Sequence, residues 1–425
     1  MSFSTTMRGR PAVRIGLAVV LVGGTLALLD PAAALAGPGG GHGRSHHSVI
    51  FINGDGMSAA HREAARLAQA GFDGDLTMNR LPVAGLQTTD PRDPSATITD
   101  SAAAASAWAT GVKTYNGAIG VDPSGRPLPV LGAQAKRAGK ATGLVTTAQV
   151  TDASPAAFFA QTPNRSAQDE IARQYLEASR PDVVLGGGED WWYPSSSPGA
   201  YPDHPADDPT EASRGSKGDL VQEARGLGYQ YVTNAAQLRA AQSSKLLGLF
   251  ANEEMFQQRP EGAGDQYAPV VPLADMTSKA LKVLDRDKDG FFLLVEEEGI
   301  DEFSHSNNAS RMLQSMAALE DAVQVARDYV AHHPGTLLIV TGDHDCGGPT
   351  VEGVDSADES GTAPSTEDGP FTVAGSTKQF VIDWTTSDHT GVATVVTAEG
   401  QNSDRLTGYY PNTHLYDVMH DVLIG

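Results

Sequence analysis

The stretch Thr99-Asp100-Ser101, followed by an alanine-rich run to Gly111, joins a nucleophilic hydroxyl to a helix start. Alanine favours helix and Thr99 or Asp100 can cap it, so Ser101 is expected in the first turn. There, unpaired N–H groups and the positive end of the helix dipole favour an anion such as phosphate. Alone, the run reads equally well as an ordinary capped helix. Other residues decide the matter. Asp55 sits in Asn53-Gly54-Asp55-Gly56-Met57 just after one apolar run, and Glu296 ends another. Asp301 and His305 follow at an i, i+4 spacing that sets both on one helical face. Asp343-His344 ends a third run, and Ser387-Asp388-His389-Thr390-Gly391 offers a further histidine from a loop. Histidine with carboxylate suits zinc, whose catalytic sites keep one position open for substrate. A single Asp after a strand is usually a turn or cap residue. Repeated placement at strand ends points instead to a metal centre.

Strands and helices must hold these groups. The runs 49–52, 142–146, 183–185, 291–295 and 337–340 are apolar without alternation, which suits strands buried on both faces. Helical patterns lie between or after them at 59–70, 102–110, 130–138, 166–178, 273–284 and 311–330. Such alternation predicts an α/β fold with a doubly wound, mainly parallel central sheet and helices on both faces. Ligands of open α/β sheets bind beyond the carboxyl ends of the strands, where these polar residues fall. Segments 191–218 and 351–377, rich in Pro, Gly, Asp and Ser, are expected to be loop-rich insertions over the active-site face.

The chain has 425 residues, 40% hydrophobic with 46 glycines, which fits one large domain over 48–425 carrying insertions. A formal charge of −22 without a basic patch argues against nucleic-acid binding. Arg8, Arg10 and Arg14, an apolar stretch and Ala34-Leu35-Ala36 predict a signal peptide over 1–36 and a secreted protein. Removing it takes three arginines and Asp30, moving the formal charge from −22 to −24. The apolar stretch is too short and Gly-interrupted for a strong anchor, so no membrane association is expected after cleavage. Residues 37–47 form a Gly/His-rich leader expected to be disordered. Cys346 is the only cysteine, so no intrachain disulfide exists, and it is expected to be a small buried thiol.

The serine run, extended to Lys113-Thr114-Tyr115-Asn116-Gly117, resembles the nucleophile motif of the alkaline phosphatases, and the likeness runs from about residue 49 to His389. It implies hydrolysis of small phosphate monoesters, with Ser101 as nucleophile and a phosphoserine intermediate. It also implies two zinc ions, one held by Asp301, His305 and His389, the other by Asp55, Asp343 and His344. A third, magnesium site would use Asp55, Ser154 and Glu296, with Asp152 holding magnesium-bound water; a homodimer is a further possibility. Arg165, in Thr162-Pro163-Asn164-Arg165, matches the arginine that grips phosphate, a role suited to its planar fork. Three departures stand out: Ser154 replaces a familiar Thr, Glu297 and Glu298 stand where small residues are common, and Glu302 stands where Lys or His is frequent.

Asp285-Arg286-Asp287-Lys288-Asp289-Gly290, with Glu296 in twelfth place, fits the EF-hand calcium-loop pattern. The following 291–295 reads as a buried strand instead of a helix, which opposes that reading. Calcium is nevertheless kept as a possible replacement or supplement for the other ions. The rivals are a phosphodiesterase or sulfatase of the same superfamily, and a non-catalytic secreted calcium-binding protein.

Overall fold

The computed structural model describes residues 47–195, 197–203, 212–354 and 367–425; the expected signal peptide and, apart from His47, the leader lie outside them. Fifteen strands are described: β1 (Ser48–Gly54), β2 (Val83–Thr88), β3 (Ala141–Gln149), β4 (Val183–Gly187), β5 (Gln230–Val232), β6 (Leu246–Leu249), β7 (Phe291–Glu297), β8 (Thr336–Thr341), β9 (Asp345–Cys346), β10 (Pro349–Gly353), β11 (Asp368–Thr372), β12 (Gln379–Trp384), β13 (His389–Thr390), β14 (Thr394–Gly400) and β15 (Gly408–Pro411). The helices used below are α1 (Ala59–Gln69), α2 (Ser101–Thr110), α3 (Leu131–Arg137), α4 (Ala153–Phe159), α5 (Gln168–Gln174), α6 (Leu220–Gly226), α7 (Ala235–Ala240), α8 (Leu273–Leu284), α9 (Gly299–His305), α10 (Ala309–Val330) and α11 (Thr413–Leu423).

Ten strands form one sheet in the order β15-β2-β14-β8-β1-β7-β3-β4-β6-β5. Only β14 runs antiparallel to its neighbours, β2 and β8. The central strands are apolar throughout because both faces are covered. Ile50, Ile52, Leu293, Val295, Leu338 and Val340 face a core with α1, α8 and α10. Val49, Phe51, Phe292, Leu294, Leu337 and Ile339 face a second core with α2, α4 and α11. The sheet is therefore doubly wound, as its sequence pattern predicts. Both layers are built from buried side chains, and each buried aliphatic or aromatic side chain contributes about 1.5–3 kcal/mol relative to exposure.

Two small sheets complete the active-site side. β10, β12 and β11 form an antiparallel sheet, so the segment expected as a loop-rich insertion at 351–377 supplies strand residues on both sides of 355–366, which lie outside the described residues. β9 pairs with β13, setting His389 opposite Cys346 and Thr390 opposite Asp345. The EF-hand reading fails on geometry. The acidic loop 285–290 precedes β7, whereas Glu296 lies near the other end of that strand, about 16 Å farther along at the usual rise. No helix among the described residues is long and apolar enough to cross a membrane.

Candidate active site

The carboxyl ends of β1, β7 and β8 converge with the start of α2, with α9 and with the start of β13. Asp55 leaves β1 and is 1% exposed. The turn after it requires Gly56, at φ 67°, where a Cβ would lie 2.6 Å from Asp301 Oδ1. The Gly56 N–H donates to Asp343 Oδ1 at 3.0 Å, tying the β1 turn to the β8 turn. His344 Nε2 then lies 3.1 Å from Asp343 Oδ2 and 3.5 Å from Asp55 Oδ1. Ser101 Oγ is 3.2 Å from the same nitrogen. Ser101 opens α2, whose cap is Asp100: its carboxylate accepts from Ala103 N–H at 2.9 Å. Every residue of α2 is buried, which explains its small side chains.

Asp301 and His305 share one face of α9, with His305 Nε2 3.1 Å from Asp301 Oδ2. His389 Nε2 lies 3.5 Å from Asp301 Oδ1 and 3.1 Å from His305 Nε2. His305 Nδ1 faces the Ser387 carbonyl at 2.8 Å, and His389 Nδ1 faces the Thr99 carbonyl at 2.9 Å. With Nδ1–H donated to those carbonyls, both Nε2 lone pairs turn toward Asp301, the arrangement typical of metal-ligating histidines. Cys346 is buried beside them, and the ligand atoms of Asp301, His305, Cys346 and His389 lie within 4.8 Å of one another. Burial, then the Asp301 carboxylate to which it is bonded, keep the Cys346 thiol strongly protonated.

The structure also brings Ser154 to Asp55, Oγ to Oδ2 at 3.4 Å. Glu296 accepts from Thr146 Oγ1 at 2.7 Å and from Asn53 Nδ2 at 3.3 Å. Asn53 and Thr146 escaped the sequence reading because neutral residues inside strand patterns give no chemical signal. Glu298 also joins this cluster: its carboxylate, with those of Asp55 and Glu296, lies within a 4.8 Å circle. Arg165 is docked on two carboxylates, Asp152 at 2.9 Å and Asp100 at 3.4 Å, which holds its guanidinium beside the start of α2. Glu302 is half-buried one residue past Asp301, its carboxyl pushed up to about 8 by burial and by Asp301 and Glu254.

The centre is built for cations. Burial, then Asp343, Asp301 and Glu296, push the Asp55 carboxyl well above its usual range, and burial raises Glu296 to about 7. Asp301 is the exception: against its burial, the close His305, His389 and His344 imidazoles hold it well below the ordinary carboxylate range. Asp55 Oδ1, Asp301 Oδ1, Asp343 Oδ2 and His344 Nδ1 are buried without a hydrogen-bond partner. Orphaned buried lone pairs on converging carboxylates and imidazoles fit divalent ions, which would neutralise them. The groups comprise a nitrogen-rich one, a mixed one at Asp55, Asp301 and His344, and an all-carboxylate one.

A buried, cation-demanding centre at the carboxyl ends of a mainly parallel sheet, with a serine at a helix start, is the arrangement of a metal-binding α/β protein. The alkaline phosphatase family model matches residues 46–379, and the chain belongs to the alkaline phosphatase family. It is 35% identical over 415 residues to streptomycin-6-phosphate phosphatase of Streptomyces griseus, covering 87% of this chain and 88% of that one. It is 34% identical over 313 residues to alkaline phosphatase 4 of Bacillus subtilis, covering 72% of this chain but only 62% of that relative. A mutant alkaline phosphatase from the Antarctic bacterium TAB5, with magnesium bound in its M3 site, superposes with a TM-score of 0.71 at 26% identity. The alignment covers 89% of this chain and 98% of that one.

Proposed function

We propose that this chain hydrolyses small phosphate monoesters through a phosphoserine intermediate on Ser101. The observation that carries the reading is the approach of Ser101 Oγ to 3.2 Å from His344 Nε2, at the capped start of α2. Asp301, His305 and His389 would hold one zinc ion, and Asp55, Asp343 and His344 the second. Asp55, Ser154 and Glu296 would hold a magnesium ion, with Asp152 supporting its hydration shell. Ions bound there supply Lewis acidity toward the phosphoryl oxygens and lower the pKa of hydroxyl groups beside them.

The residues do the rest. Ser101 Oγ attacks phosphorus, forming an Oγ–P bond as the bond to the leaving oxygen breaks; the proton lost from the Ser101 hydroxyl passes through solvent to that oxygen, which departs as the alcohol. Water then attacks the phosphoserine, breaking the Oγ–P bond and releasing inorganic phosphate. Arg165 grips two non-bridging oxygens, held in place by Asp152 and Asp100. The α2 N-terminus adds N–H groups for the developing negative charge.

Ser101→Ala is expected to lower turnover of an aryl phosphate monoester by several orders of magnitude while the melting temperature stays near wild type. Acid-quenched wild type should carry phosphate on Ser101 by mass spectrometry. Activity above about a tenth of wild type in the variant would overturn the covalent route. Faster hydrolysis of a diester or aryl sulfate than of the monoester would favour the rival reactions. The basic n-region and Ala34-Leu35-Ala36 support secretion with cleavage after Ala36. N-terminal sequencing of exported protein tests this, and sedimentation tests for a homodimer.

A further inference from the structure

Three glutamates follow one another at the end of β7, and their surroundings differ sharply. Glu296 accepts from Thr146 and Asn53. Glu297 accepts from Thr147 Oγ1 at 3.0 Å, Tyr267 OH at 2.7 Å and the Gly299 N–H at 3.1 Å. Glu298 is only 5% exposed, yet among the described residues its carboxylate accepts no hydrogen bond; only its backbone N–H is engaged, donating to Thr147 Oγ1. Its carboxyl oxygens lie beside those of Asp55 and Glu296, which are 1% and 0% exposed. Asp55 Oδ1 is itself a buried acceptor without a donor. A buried carboxylate deprived of donors and set against two others is stable as an anion only around a cation.

We propose that Glu298 is a protein ligand of the third metal position and makes that position selective for calcium. The proposal rests on the metal-centre reading above and adds to it a ligand and a preference. With Glu298 included, the position offers three carboxylates and the Ser154 hydroxyl, all oxygen, with neither imidazole nor thiol in the group. Such a donor set favours a hard cation over zinc. Magnesium demands a near-ideal octahedron and retains several waters, whereas calcium accepts six to eight oxygens and bidentate carboxylates in flexible geometry. A third carboxylate therefore takes the place of solvent that magnesium would keep, and it adds charge that calcium can use without dehydrating to a strict geometry.

The test uses the full-length chain stripped with a chelator, reloaded with zinc, and titrated calorimetrically with calcium or magnesium alone. Wild type is expected to bind calcium about tenfold or more tighter than magnesium, and Glu298→Gln to lose about tenfold or more of that calcium affinity. A second readout separates ligation from a structural role. In the chelated protein Glu298→Gln should melt higher than wild type, because a buried carboxyl without donors, crowded by two others, is replaced by an amide; with calcium the order should reverse. Equal calcium affinity in wild type and variant overturns the proposal. So does a melting temperature lowered equally with and without calcium, the result if Glu298 serves chiefly to balance the charge of Arg165, on which it acts at close range. Should Glu298→Gln fail to fold, Glu298→Ala and the wild-type preference decide, and tighter magnesium binding in wild type overturns it. Monoester turnover is not read in this assay, so failure of the Ser101 chemistry and failure of calcium selectivity are distinguishable.

Discussion

Glu302 and His61 show how single side chains set behaviour around the metal centre. Glu302 lies beside Asp301 among Asp152, Glu254 and His305, so its charge acts on the same region as a bound phosphate. Above pH 8, where the Glu302 carboxyl is ionised, replacing that negative charge with a positive one should tighten inhibition by inorganic phosphate about tenfold. Glu302→Lys should also lower turnover where product release is limiting. Inhibition constants and single-turnover rates for both proteins check this, and an unchanged inhibition constant would place Glu302 outside the phosphate's reach. His61 is fully buried, accepts the Ser58 N–H at 3.1 Å and meets Ser304 Oγ at 3.1 Å. Burial drives its pKa down to about 4. The unfolded chain, near 6.5, binds this proton more readily than the folded one. Stability from neutral His61 is therefore complete above about 6.5 and falls as pH drops toward 4. His61→Gln should melt lower at pH 7.5, but its stability should fall less than wild type between pH 6.5 and 4.5, as denaturant titrations would show. Glu302 and Glu298 were legible as departures from the family pattern, though not the neighbours each meets; His61 was not, because a lone histidine in helix 59–70 gives no hint of its burial.

At the scale of elements, α2 couples stability to chemistry through its cap. Asp100 accepts from Ala103 N–H, from Gly117 N–H at 2.8 Å and from Arg165 at 3.4 Å. Asp100→Ala should destabilise the fold by about 1 kcal/mol through the lost cap. Its effect on kcat/KM should be larger than stability explains, because Arg165 loses one of its two anchors. Asp100→Asn retains a capping oxygen and should recover most of the stability but not all of the activity; thermal melts beside monoester kinetics check both. The central strands and long helices were legible because burial on both faces leaves uninterrupted apolar runs. The outer strands were not. β2 is half exposed along Val83–Thr88, and β14 is threonine-rich and antiparallel, so neither gives a continuous hydrophobic signal. The small sheet β10-β12-β11 is interrupted in sequence by 355–366 and read as loop for the same reason. The residues at strand ends were legible as a set because each terminates a run that is itself unmistakable; Asn53, Thr146 and Thr147 were not, since their contribution is a hydrogen bond.

For the whole molecule, the formal charge of −22 is concentrated in part inside the protein, around the converging carboxylates. Bound ions must therefore contribute strongly to stability. Each ion held at about a hundredfold above its dissociation constant adds about 2.7 kcal/mol. Chelation should lower the melting temperature by several degrees, with recovery on adding back zinc and the third-site cation. The loss should shrink below pH 6, where Glu296, held at about 7, takes a proton and relieves its own repulsion. Calorimetry with and without chelator at two pH values checks the sign. With Cys346 as the sole cysteine, no disulfide offsets that loss.

The pairing of β9 with β13 also sets a timetable. The donors of the centre come from Asp55 onward, but His389 arrives only through that short ladder, near the end of a 425-residue chain. During synthesis the first two hundred residues emerge with Asp55, Ser101 and Ser154, yet with nothing to close a coordination shell. A full-affinity metal site therefore cannot guide early folding; it can only lock a chain whose long-range strand order is already in place. Zinc supplied late in refolding should be as effective as zinc supplied from the start, and full-length His389→Ala, which keeps β14 between β2 and β8, should fold without acquiring that ion.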